Sequence, residues 1–99
     1  MTEKQFIDAF TAAGGWFLLT QFEVIKNWKG EKNVLVDLLY EKGFDSKRTG
    51  TNTRVSSVKR IIDNGMGKEA LEKIYASKMI NKTHPEAAQM ARDLIEKYY

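Results

Sequence analysis

Trp16-Phe17-Leu18-Leu19-Thr20-Gln21-Phe22-Glu23-Val24-Ile25-Lys26-Asn27-Trp28 is the stretch on which the fold class turns. Leu18, Phe22 and Ile25 fall on one stripe at helical spacing and Phe17, Val24 and Trp28 on another, the pattern of a deeply buried helix. Its aromatic and β-branched residues also follow directly on Gly14-Gly15, and such a run equally suits a strand or a hairpin arm. Periodicity does not separate the two over so short a run. The helical reading is favoured and makes the chain all-α.

The flanks support that class. Upstream, Thr2 and Gln5 have capping-box spacing, Phe6, Ile7, Phe10 and Ala13 recur at helical intervals, and Gly14-Gly15 is the stop. Downstream, Val34, Leu35, Leu38 and Leu39 mark a helix from Glu31 to Lys42, with Gly43-Phe44 placed as a Schellman ending. Asp45 to Asn52 has no apolar residue and reads as an exposed loop. Thr51, Asn52 or Thr53 then caps a fourth helix whose buried stripe is Val55, Val58, Ile61 and Ile62, closed by Gly65. Gly67 opens a fifth, carried by Ala70, Leu71, Ile74, Tyr75 and Met79, and Asn81 to Thr83 is the next break. Thr83-His84-Pro85-Glu86 has capping-box spacing with proline in the first turn, and Ala87, Met90, Ala91, Leu94, Ile95 and Tyr98 continue the last apolar face. The expected product is a compact bundle of five or six short helices in a single domain spanning residues 1–99.

With 99 residues, 42% apolar and 29% charged, the chain has the composition of a folded domain with one core. It has no cysteine, which excludes disulfides, thiolate metal sites and a cysteine nucleophile. The longest apolar run, Trp16 to Leu19, is too short to cross a bilayer, and the first residues lack the layout of a signal peptide. A cytoplasmic protein without a membrane association is the expectation.

Catalytic chemistry finds little support. His84 is the only histidine and sits where helix capping accounts for it. Neither a Walker phosphate loop nor a dinucleotide-binding glycine motif occurs. The carboxylates are scattered along polar faces, mostly beside lysines. The reading is therefore a binding protein and not an enzyme, with no metal and no cofactor.

Charge is distributed unevenly. The net charge is only +3, yet Ser46 to Ile62 holds Lys47, Arg48, Arg54, Lys59 and Arg60 and not one acid, so the rest of the chain is net negative. On a helical wheel Thr53, Ser56, Ser57, Arg60 and Asn64 gather opposite the apolar stripe. A small, polar, basic face suits nucleic acid, with hydroxyls and cations on phosphates and Arg60 able to pair bidentately with phosphate or guanine. Duplex DNA is the expected partner. The helix before it packs naturally against this one, giving a helix-turn-helix-like pair, although the connection is nearer ten residues than the usual three or four.

Immediately downstream, Ile61-Ile62-Asp63-Asn64-Gly65-Met66-Gly67-Lys68-Glu69-Ala70-Leu71-Glu72-Lys73-Ile74 resembles the helix-hairpin-helix family. The resemblance implies binding of DNA phosphates without sequence preference, through backbone N–H groups exposed at Gly65, Met66, Gly67 and Lys68. The family favours a small residue where Leu71 stands, and no proline precedes the hairpin. The same glycines also fit a plain helix stop and start, with Met66 as a core contact. A competing function is a protein-interaction module or homodimer, suggested by Trp16, Phe17, Phe22, Trp28, Tyr40 and Phe44 together with Tyr98-Tyr99.

Overall fold

The computed structural model describes all residues from 1 to 99 and contains seven helices and no strand. In chain order they are α1 (Glu3–Ala13), α2 (Gly15–Asn27), α3 (Lys32–Tyr40), α4 (Arg48–Asp63), α5 (Gly67–Ala76), α6 (Lys78–Thr83) and α7 (Ala87–Tyr98). None is long and apolar enough to cross a membrane.

The first turn of α1 is held by a reciprocal capping box. The Gln5 amide donates to Thr2 Oγ1 at 3.1 Å while the Thr2 amide donates to Gln5 Oε1 at 2.9 Å. Gly14, at φ 79, donates to the Phe10 carbonyl and accepts from the Leu18 amide, so one residue in the left-handed region ends α1 and starts α2. The deciding stretch is therefore helical. Phe17, Leu18, Leu19, Phe22 and Ile25 are all buried, a distribution over more than one helix face that an alternating strand would turn half outward.

One core of 21 buried side chains draws on every helix except α6. α4 is its axis: Val55, Val58 and Ile61 are fully buried, and α1, α2 and α3 pack around them while α7 packs along α5. The apolar stripe read from the sequence of α4 is thus its inner face, with Ile62 only partly buried, while on the opposite face Thr53, Arg60 and Asn64 are exposed and Ser56 and Ser57 half-buried.

Four local expectations are corrected. Asp45 to Asn52 is not all exposed loop: α4 begins at Arg48, and Thr51 is fully buried inside it. The Asp45 carboxylate explains this, because it accepts from Thr51 Oγ1 at 3.0 Å and from Arg54 Nε at 3.0 Å and so pins the early turns of the helix. Thr51, Asn52 and Thr53 are consequently interior helical residues and not caps. The stretch from Gly67 to Met79 breaks at Ser77, whose hydroxyl accepts from the Ile80 amide and starts α6, so the bundle has seven helices. Asn81 lies within α6, donating to the carbonyls of Ile74 and Ser77, and is no break.

The capping box at Thr83 does not form. Thr83 Oγ1 donates to the Met79 carbonyl at 3.1 Å, and α7 starts only at Ala87. His84 is held instead by its ring, stacked on Trp16 at 3.6 Å and 4°. In α3 the buried residues are Leu35, Val36 and Leu39, while Val34 and Leu38 are about half exposed.

Candidate nucleic-acid interface

The basic segment is carried almost wholly by α4, and its five cations divide into two kinds. Arg54 is structural. Its Nε bonds both oxygens of Asp45, at 3.0 and 3.2 Å, its Nη1 donates to the Ala13 carbonyl at 2.8 Å, and its guanidinium lies 5.7 Å from the Phe17 ring centre. Arg48 donates to Asp37 Oδ1 at 2.5 Å and to the Asn33 carbonyl, tying the first turn of α4 to α3. Both charges are met by a carboxylate of the same chain.

Lys47, Lys59 and Arg60 have no ion-pair partner. Lys47 and Arg60 are exposed and Lys59 is half-buried. Asp45 leans over the first turn of α4, its Oδ1 3.2 Å from where a Cβ on Gly50 would stand. A carboxylate of the chain itself thus sits at the electropositive start of the helix.

Among the polar residues of the outward face, Thr53 Oγ1 donates to the Thr49 carbonyl at 3.1 Å and Ser57 Oγ to the Thr53 carbonyl at 2.9 Å. Asn64 Nδ2 turns back to the Arg60 carbonyl at 2.7 Å. Ser56 Oγ accepts from Lys32 Nζ. Lys32, at the start of α3, therefore joins the face of α4. Its place was not readable from the sequence, since only the antiparallel packing of α3 on α4 brings it across a separation of 24 residues.

Lys68 lies apart, exposed in the first turn of α5. The Gly65-Met66-Gly67 hairpin before it is a helix stop. The Met66 amide bonds the Ile61 carbonyl and the Gly65 amide the Ile62 carbonyl, both at 3.0 Å, with Gly65 at φ 72. Gly67 is buried, and a Cβ there would meet the Tyr99 hydroxyl and the Phe22 ring. Burial holds the Tyr99 phenol above its ordinary range, with Glu69 adding to the effect.

Most of the aromatic residues serve the fold. Phe17 and Phe22 are buried, and Phe44 packs edge-on against Phe17 at 5.0 Å. Trp28 is half-buried, its Nε1 donating to the Glu31 carbonyl, and Tyr40 Oη donates to the Ser46 carbonyl. Tyr98 Oη donates to Glu23, while Tyr99 is 48% exposed.

Two open clefts lie away from α4. One, of about 240 Å³, is lined by Leu19, Thr20, Glu23, Met90, Asp93 and Leu94; the other, of about 360 Å³, by Glu72, Tyr75, Arg92 and Ile95. No group of three or more acidic or histidine side chains is placed to hold a metal ion. No family model matches the chain, and neither a curated protein nor a solved structure is significantly similar to it.

Proposed function

We propose that this protein binds nucleic acid, with duplex DNA the expected form, by laying the outward face of α4 along phosphate groups. One observation carries the reading: Lys47, Lys59 and Arg60 stand without a carboxylate partner on a segment that has no acid from Ser46 to Ile62. Lys32 adds a fourth charge beside Ser56. Arg48 and Arg54 are left out of the phosphate contacts because Asp37 and Asp45 hold them. α3 packs on α4, but α1 and α2 pack on α4 as well and Glu41 to Lys47 makes a longer connection than a helix-turn-helix uses, so the proposal rests on the charges of α4 and not on that motif.

Fluorescence anisotropy of labelled duplex DNA, single-stranded DNA and RNA, at low and near-physiological salt, tests the proposal. Saturable binding that weakens steeply with salt, and that Arg60→Glu loses without loss of fold, is the expected result. No binding at low salt would end the proposal. A protein partner is the second reading, favoured by the exposure of Val34 (49%) and Leu38 (46%) one turn apart on α3.

A further inference from the structure

We infer that the α4 face grips the duplex backbone without reading its sequence, an inference that rests on the nucleic-acid reading above. Base readout in a groove needs side chains that offer free donors and acceptors to base edges, above all arginine on guanine and asparagine or glutamine on adenine. On this face much of the hydrogen-bonding capacity is used locally. The single hydroxyl hydrogens of Thr53 and Ser57 go to the carbonyls of Thr49 and Thr53, and Asn64 turns one of its two amide hydrogens back to the Arg60 carbonyl, at the far end of the helix. Ser56 accepts from Lys32 and keeps one hydroxyl hydrogen, a single donor that any phosphate oxygen satisfies.

Arg60 alone keeps a forked, unpaired set of donors. A single bidentate pair discriminates about 5- to 150-fold against a wrong base, below the roughly thousandfold or greater ratio of a sequence-specific binder. The lysines contribute point charges that any phosphate satisfies. Nor does the ridge from Thr49 to Asn64 carry an aromatic ring. It therefore lacks the stacking platform on which single-strand binders rest bases, which favours a duplex.

The test is a competition assay in which a labelled duplex of about 20 base pairs is displaced by unlabelled duplexes of unrelated sequence, A·T-rich and G·C-rich, and by single strands. Duplexes competing within about a hundredfold of one another, and single strands competing less well, are expected. Thr53→Ala and Ser57→Ala should each leave affinity within about twofold, since neither hydroxyl has a hydrogen to give to phosphate. A site selected from a random pool that binds about a thousandfold more tightly, or a tenfold loss in either alanine variant, would overturn the inference while leaving nucleic-acid binding standing. Failure of every duplex to bind would remove both together.

Discussion

Arg54 Nη1 donates to the carbonyl of Ala13 at 2.8 Å across 41 positions of sequence. That carbonyl belongs to the last turn of α1, where helix geometry leaves acceptors without partners. Asp45, whose side chain is only 15% exposed, completes the bridge. One guanidinium thus joins the end of α1, the entry to α4 and the Phe17 face of α2.

Arg54→Ala is therefore expected to destabilise the fold by about 2–3 kcal/mol, less than a fully buried pair because the arginine side chain is 31% exposed. Urea unfolding measures it. A change under about 0.5 kcal/mol would mark Arg54 as a surface cation, and any loss of DNA binding it caused would then need another explanation.

Gly65 offers a cleaner test of backbone geometry. It sits at φ 72 with nothing within 4 Å of an added Cβ, so Gly65→Ala meets no neighbour and costs only the left-handed conformation, about 1 kcal/mol. Gly65→Asn should cost less, since asparagine tolerates that region. Equal stability of the alanine variant and the parent in urea would mean that the Met66-to-Ile61 bond does not set the end of α4.

The tether between α2 and α7 predicts a pH dependence. Glu23 accepts from Lys97 Nζ at 2.6 Å and from Tyr98 Oη at 2.7 Å, and these bonds hold its carboxyl below the ordinary 4.5. A lowered folded-state value gives stability that is present above 4.5 and lost as pH falls through the folded-state value. The Glu23 carboxylate, by hydrogen bond and charge, raises Lys97 above 10.5, so its share is complete below that pH and lost as pH rises past the raised value. Thermal midpoints of the parent and Glu23→Gln, followed across pH, should differ most between these limits and draw together in acid. A gap that stays constant into acid would show that the carboxylate charge plays no part.

Much of the frame is legible in the sequence because apolar spacing and glycines act locally. Thr2 with Gln5, Gly14, Gly65 and the stripe Val55, Val58 and Ile61 all take the places their spacing implies. The misplaced boundaries depend on side-chain contacts that apolar spacing does not encode. Asp45 and Arg54 stand close to Thr51 in the sequence, but only their ion pair carries α4 back to Arg48, and nothing near Thr83 announces that Trp16 will take the His84 ring. The candidate site behaves alike: charge alone groups Arg54 with Arg60, and only packing separates a half-buried brace from an exposed cation.

Lys32 decides how far the proposed interface extends. Its ammonium has no carboxylate partner and rests on the Ser56 hydroxyl, so it lies beside the unpaired cations of α4 although it belongs to α3. If phosphates run along this face, Lys32→Ala removes one contact, and the slope of log affinity against log salt should fall by about one, equally for every duplex sequence. Stability should stay within about 0.5 kcal/mol, because the side chain is exposed and no buried group loses its partner. Lys4→Ala on α1 is the matched control, since that lysine is exposed on another helix. An unchanged slope with Lys32→Ala, beside a reduced one with Arg60→Ala, would confine the interface to α4 and leave the Lys32 contact as a brace between the two helices.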